Sequence, residues 1–92
     1  MMTGMLINSG TVELKDVPFD VFSVGSILYA ENIELITLSD AVMYLTESAK
    51  EIGLQRNDLA SLIARSEVYG PALIAGFGGT DVPQIYVDAY MA

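Results

Sequence analysis

The chain has 92 residues, of which four are basic and twelve are acidic, and its net charge is −8 at pH 7. Only 17% of the residues are charged and 52% are hydrophobic, which is well above the apolar content of disordered chains. The sequence contains no histidine and no cysteine. Ser-His-Asp and Cys-His catalysis and zinc sites with those ligands are therefore excluded, and we expect no catalytic residue, cofactor or metal.

The length of the chain fits one domain over residues 1–92. No apolar run reaches the roughly 18 residues that span a bilayer, and the first residues lack the basic segment of a secretory signal. The absence of cysteine suits a reducing compartment, so the sequence predicts a cytoplasmic protein without a membrane partner. The excess negative charge repels nucleic-acid phosphates and attracts a basic protein surface.

The N-terminal third, residues 1–38, is predicted to be mainly β structure. Two strands over 5–7 and 11–17 flank Asn8-Ser9-Gly10, which has the turn chemistry of a β-hairpin. Residues 19–30 fit part of a helical face, but their Val, Phe, Ile and Tyr content favours a strand. Alternating apolar residues over 33–38 predict a further strand.

Two helices are predicted within residues 39–69. The first, over 40–52, has apolar residues at spacings of three or four, and Gly53 stands where helices commonly close. The second begins at a cap formed by Asn57 or Asp58.

Loop and strand are predicted for residues 70–92. A short apolar strand over 72–75 precedes a glycine-rich loop, and alternation over 84–90 predicts a final strand. The expected fold class is therefore α+β, with a hairpin region, a two-helix unit and C-terminal strands.

The two predicted helices and their turn resemble the helix-turn-helix unit of small phage proteins of the Cro-like or excisionase-like kind, over residues 36–75. Such units need a small residue in the first helix and a glycine four positions later, and Ala49 and Gly53 fit. Their apolar positions around and after the turn are filled by Ile52, Leu54, Leu59, Leu62 and Ile63. The resemblance implies a second helix that reads DNA bases.

The DNA-reading residues that this resemblance implies are Gln55, Arg56, Asn57 and Ser61 for bases, and Lys50 or Arg65 for phosphate. The charge distribution opposes this function, because all the excess acid flanks a neutral segment over 46–66. A DNA reader makes about six to ten phosphate contacts, and the chain has four cations. Direct nucleic-acid binding is therefore not expected.

The sequence instead predicts a non-enzymatic acidic module that binds a protein with a basic surface. The candidate contacts are the carboxylates Glu31, Glu34 and Asp88 and the tyrosines Tyr86 and Tyr90. In size and acidity the chain looks like small phage-encoded accessory proteins, such as anti-CRISPR inhibitors that act in the host cytoplasm. The alternatives are a helix-turn-helix DNA-binding regulator and a minor virion or assembly subunit, and a homo-oligomer is left open.

Overall fold

A computed structural model describes residues 1–91 and shows five antiparallel strands in one sheet, with helices on both faces. This confirms the α+β class. In chain order the elements are β1 (Met2–Asn8), β2 (Thr11–Val17), α1 (Val21–Leu28), β3 (Ile33–Thr37), β4 (Val42–Thr46), α2 (Asp58–Ala64), β5 (Ala72–Ala75), a 3-10 turn (Phe77–Gly79) and α3 (Gln84–Tyr90). The strand order across the sheet is β2-β1-β5-β4-β3, and every pair is antiparallel.

The first two strands pair through a tight turn at Ser9-Gly10. The side chain of Asn8 accepts the N–H of Ser9 at 2.8 Å, and Gly10 has a φ of +77°, which favours glycine. Successive side chains of a strand point to opposite faces. In β1 Met5 lies in the core on one face of the sheet and Leu6 in the core on the other, so this strand is covered on both sides.

The strand favoured for residues 19–30 is wrong, because α1 forms there. Asp20 caps this helix, since its side chain accepts the backbone N–H of Ser23 at 2.8 Å. The helix closes with a hydrogen bond of 2.8 Å from the N–H of Ala30 to the carbonyl of Gly25. A Cβ at Gly25 would lie 2.8 Å from the Ala30 oxygen, so glycine permits this tight ending. Capping and packing outweigh the β propensity of the segment.

The helix predicted over 40–52 is also wrong. Residues 42–46 form β4, which is joined to β3 by a short turn with a hydrogen bond from the N–H of Leu38 to the carbonyl of Ala41. Met43 and Tyr44 are buried on opposite faces of the sheet. An apolar run that is buried on both faces also contains the spacing of a helical stripe, so periodicity alone does not separate the two. Residues 36–75 therefore contain the single helix α2, and the expected helix-turn-helix unit is not formed there.

A buried asparagine fixes the start of α2. The side-chain oxygen of Asn57 accepts the N–H of Ala60 at 3.2 Å, and its amide nitrogen donates to the carbonyls of Ile7 and Gly70, both at 2.9 Å. This one side chain therefore joins the helix to the end of β1 and to the segment that leads into β5.

The final strand predicted over 84–90 is replaced by α3. Pro83 precedes the helix with a φ of −57°, close to the helical value. Tyr86, Val87 and Tyr90 pack on the core from one helix face, whereas Ile85 is 65% exposed. A segment of seven residues with alternating apolar positions also contains helical spacings, and here the packing decided between them.

Two cores lie on opposite faces of the sheet. Helices α2 and α3 cover one face, whose buried residues include Met5, Ile7, Met43, Leu45, Ala72 and Ile74. Helix α1 covers the other, whose buried residues include Met2, Leu6, Tyr44, Leu73 and Ala75. The protein is thus a three-layer arrangement, and the inner strands contribute apolar side chains to both cores.

We predict that Asn57→Ala lowers the free energy of unfolding by about 3 kcal/mol, because it removes a helix cap and leaves the buried carbonyl of Ile7 and the partly buried carbonyl of Gly70 without this donor. Asp20→Ala removes the exposed cap of α1 and serves as the control, with a clearly smaller loss. Urea unfolding followed by circular dichroism measures both values. Equal losses for the two variants would show that the additional hydrogen bonds of Asn57 do not stabilise the fold.

Candidate partner-binding surface

Five exposed glutamates from separate parts of the chain gather at one end of the sheet, and we call them the acidic end. They are Glu31 before β3, Glu34 in β3, Glu47 and Glu51 after β4, and Glu67 after α2. They line two adjoining clefts of about 360 Å³ and 350 Å³, which share residues 46–48. The fold therefore concentrates carboxylates that lie up to 36 positions apart in the sequence.

Backbone hydrogen bonds bring these segments together. The N–H of Glu47 donates to the carbonyl of Asn32 at 3.0 Å, so the residues that follow β4 lie beside the loop that carries Glu31. An isolated antiparallel bridge pairs Arg56 with Tyr69, which places the segment around Glu67 next to the same turn. Strand pairing and one bridge therefore position the acidic end.

Lys50 is the one cation among the described residues that line the two clefts. Its Nζ lies 3.8 Å from a carboxylate oxygen of Glu67 and 5.5 Å from the centre of the Tyr69 ring. Both charged side chains are more than half exposed, so the ion pair contributes little stability. Five carboxylates against one ammonium group leave four excess negative charges on this surface.

Exposed apolar side chains accompany these charges. Tyr29 is 91% exposed and Ile52 is 64% exposed, and both line the second cleft beside Glu31 and Glu47. Contacts of this kind, an aromatic or aliphatic anchor among charged groups, are common at protein–protein interfaces. The surface can therefore offer both electrostatic attraction and apolar contact.

Of the carboxylates predicted from the sequence, Glu31 and Glu34 belong to the acidic end and Asp88 does not. Asp88 lies in α3, where it accepts a hydrogen bond of 3.0 Å from the side chain of Gln84. Three members of the acidic end were missed, namely Glu47, Glu51 and Glu67. The signal that could have found Glu47 and Glu51 is β4 itself, because a strand over 42–46 places the following residues next to the start of its antiparallel neighbour β3. Glu67 is positioned instead by the bridge between Arg56 and Tyr69.

The two predicted interface tyrosines instead pack against the core. The hydroxyl of Tyr86 donates to a carboxylate oxygen of Asp40 at 2.6 Å, and Tyr90 lies one helical turn later on the same face. Burial, together with the hydrogen bond to Asp40, raises the pKa of Tyr86 to about 12. These tyrosines line a cleft between α2 and α3 of about 710 Å³, and they are not part of the acidic end.

The predicted DNA-reading residues do not share an exposed helix face. Asn57 and Ser61 are each 5% exposed, and the Ser61 hydroxyl is occupied by an N–H of Val68 at 2.8 Å and a carbonyl of the same residue at 3.2 Å. The other four lie in separate places. Gln55 and Arg56 precede α2, Arg65 follows it, and Lys50 lies at the acidic end. The structure therefore corrects the assignment of this set to one reading surface.

Within residues 1–91, no group of three or more carboxylates is arranged to hold a metal ion. Over the same residues, no helix combines the length and the hydropathy that crossing a lipid bilayer requires. Comparisons of the chain with protein-family models, curated proteins and solved structures find no match. The function is therefore inferred from the chemistry of the surface.

The hydrogen bond between Tyr86 and Asp40 predicts a pH dependence. Because the folded pKa of about 12 exceeds the ordinary value of 10, protonated Tyr86 stabilises the fold below pH 10, and this contribution is lost as the pH rises through 12.

We predict that Asp40→Asn lowers the pKa of Tyr86, as measured by the ultraviolet absorbance of tyrosinate, and that Tyr86→Phe removes this titration. Asp88→Asn on the same helix is the control and should leave it unchanged. An identical titration in Asp40→Asn would contradict the assignment.

Proposed function

We propose that the protein is a non-enzymatic binding module whose acidic end docks on a basic surface of a partner protein. The observation that carries the proposal is the gathering of five exposed glutamates with a single lysine that already contacts one of them. A surface that concentrates charge of one sign associates faster with a surface of the opposite charge, and it disfavours partners of like charge.

The exposure of the glutamates favours binding over catalysis. Carboxylates that act as a catalytic acid and base need environments that separate their pKa values, usually through burial. All five members of the acidic end are exposed, and the hydrophobic groups beside them, Tyr29 and Ile52, are exposed as well. This combination suits a surface that another protein covers.

The charge also indicates the class of partner. Surfaces that bind nucleic acid are rich in lysine and arginine, and an acidic module competes there with phosphate groups. We therefore propose that the chain modulates or inhibits a nucleic-acid-binding complex in the cytoplasm, in the manner of a phage accessory protein of the anti-CRISPR type. This finer assignment rests on charge complementarity and on the compositional likeness.

A charge-reversal pair tests the proposal. The double variant Glu31→Lys/Glu47→Lys should lose its partner in affinity capture from a cell lysate followed by mass spectrometry. Glu13→Lys/Asp88→Lys changes the net charge by the same amount outside the acidic end and should retain the partner. We expect binding by the wild-type protein to weaken as the salt concentration rises, since salt screens exposed charges.

Nuclease treatment of the lysate separates a protein partner from a nucleic-acid one. Retention of the same partner by both double variants, or binding that is insensitive to salt, would reject the acidic end as the contact surface. Recovery of DNA by the wild-type protein would favour a DNA-binding regulator instead.

A further inference from the structure

The outer side of β3 forms one edge of the sheet, and its backbone can be oriented from the bonds at its two ends. The N–H of Glu47 donates to the carbonyl of Asn32, and the N–H of Leu38 donates to the carbonyl of Ala41. In an antiparallel pair, the residues that exchange hydrogen bonds alternate with residues that do not. These two bonds continue the β3–β4 pairing beyond its two ends. They therefore show which residues of β3 direct their N–H and C=O groups toward β4.

By this alternation, Glu34 and Ile36 direct their N–H and C=O groups toward β4. The N–H and C=O groups of Ile33, Leu35 and Thr37 therefore point away from the sheet. In the described part of the chain, no strand pairs with this side of β3. The edge consequently offers backbone donors and acceptors to an added strand.

Two neighbouring side chains near the centre of this edge, Glu34 and Leu35, differ in chemistry and lie on opposite faces of the sheet, and Ile36 beyond them packs against the core. Leu35, at the centre of β3, is 57% exposed and lies on the face of the sheet that α1 covers in part. Glu34 is exposed on the opposite face and belongs to the acidic end, and Glu31 lies just before the strand. An added strand would therefore meet the apolar Leu35 on one face and the carboxylate of Glu34 on the other.

We propose that the edge of β3 binds an extended basic segment of the partner, which adds to the sheet as a sixth strand. The inference rests on the proposed function, because it specifies how the basic partner is recognised. Main-chain hydrogen bonds to Ile33, Leu35 and Thr37 provide affinity, and the side chains of Glu34 and Leu35 provide specificity. The segment carries an apolar residue opposite Leu35 and a lysine or arginine opposite Glu34.

Charge favours a basic segment over a second copy of the chain as the strand that binds this edge. Pairing two β3 edges would bring two Glu34 side chains and two molecules of net charge −8 together. The other edge of the sheet, β2, does not share this chemistry, because Lys15 lies there among acidic residues and its Nζ is 3.3 Å from Glu13. A basic strand therefore has its complement at β3.

The test measures, by fluorescence anisotropy, the binding of the whole protein to a fluorescein-labelled heptapeptide of alternating arginine and valine. Leu35→Pro removes an N–H that faces solvent and so leaves the bonds to β4 in place. Leu14→Pro is the matched control in β2. In β1, the backbone groups of Thr3 bond to residues on the β5 side, and those of Met5, two residues later, point the same way. Leu14 pairs with Met5 and so is not hydrogen-bonded to β1, and its N–H also faces solvent.

We expect Leu35→Pro to weaken peptide binding by about tenfold or more, and Leu14→Pro to leave it unchanged. Glu34→Lys should also weaken it. A peptide of the same composition with its arginines and valines in two blocks should bind less tightly, since it keeps the charge and loses the alternation. If Leu35→Pro fails to fold by circular dichroism, a peptide with N-methylated valines replaces it, because methylation blocks the same backbone bonds from the other side.

The outcomes separate the inference from the function on which it rests. Equal binding of the alternating, block and N-methylated peptides, with loss only in Glu34→Lys, would overturn strand addition and leave the acidic docking surface standing. Failure of every arginine-containing peptide to bind would overturn both. A dimer in sedimentation that Leu35→Pro dissociates would assign the edge to a second copy and overturn the inference.

Discussion

The structure depends on a sheet whose inner strands must be covered on both faces. All four residues of β5 have no exposed surface, and side chains of β1 and β4 are buried in both cores. Burying a large aliphatic side chain contributes about 1.5–3 kcal/mol, so the uncovered face of such a sheet would be strongly unfavourable in water. Helix α1 on one face and helices α2 and α3 on the other meet this requirement. The same requirement explains why a chain of 92 residues is 52% hydrophobic with few charges.

Covering both faces restricts where charge can lie. Carboxylates are left with the strand ends, the outer sides of the helices and the two edges of the sheet, because a buried charge without a partner is costly. One end of the sheet, where β3 begins and β4 ends, receives five of the twelve acids, and one of them, Glu67, comes from the segment after α2. The acidic end is thus a consequence of how the core is built as much as of the acidic composition.

The segment between β4 and α2 connects this surface to the core. It carries Glu47 and Glu51 outward and is held at its far end by the buried amide of Asn57, which bonds to β1 and to the residues before β5. Ala49 is buried within the same turn, so the turn packs against the protein while its charged side chains remain exposed. The acidic end therefore stands on an anchored turn beside an open strand edge. This arrangement can present charge and backbone groups to one partner at the same time.

The elements that sequence reasoning assigned incorrectly share a physical cause. Residues 42–46 are buried on both faces, which removes the alternation of apolar and polar residues that identifies a strand. The seven residues of α3 are too few to distinguish the apolar spacing of a helix from that of a strand. In α1 the cap formed by Asp20 was a readable local signal, but the β-rich composition of the segment outweighed it in the prediction. Of the acidic end, Glu31 and Glu34 were predicted from the sequence as candidate contacts of an acidic binding module. Glu47 and Glu51 fall within the helix predicted over 40–52, so their position beside β3 could not be inferred.

The sequence by itself determined the absence of histidine and cysteine chemistry, the α+β class and the net negative charge. It also determined a helix that begins near Asn57 or Asp58 and the strand over 72–75. Composition, side-chain chemistry and local hydrogen bonding are properties of a residue and its near neighbours. Only the tertiary structure decided which carboxylates meet, which tyrosines support the core and which strand edge is open. Those features depend on the order of strands in the sheet, and that order is set by packing between segments far apart in the chain.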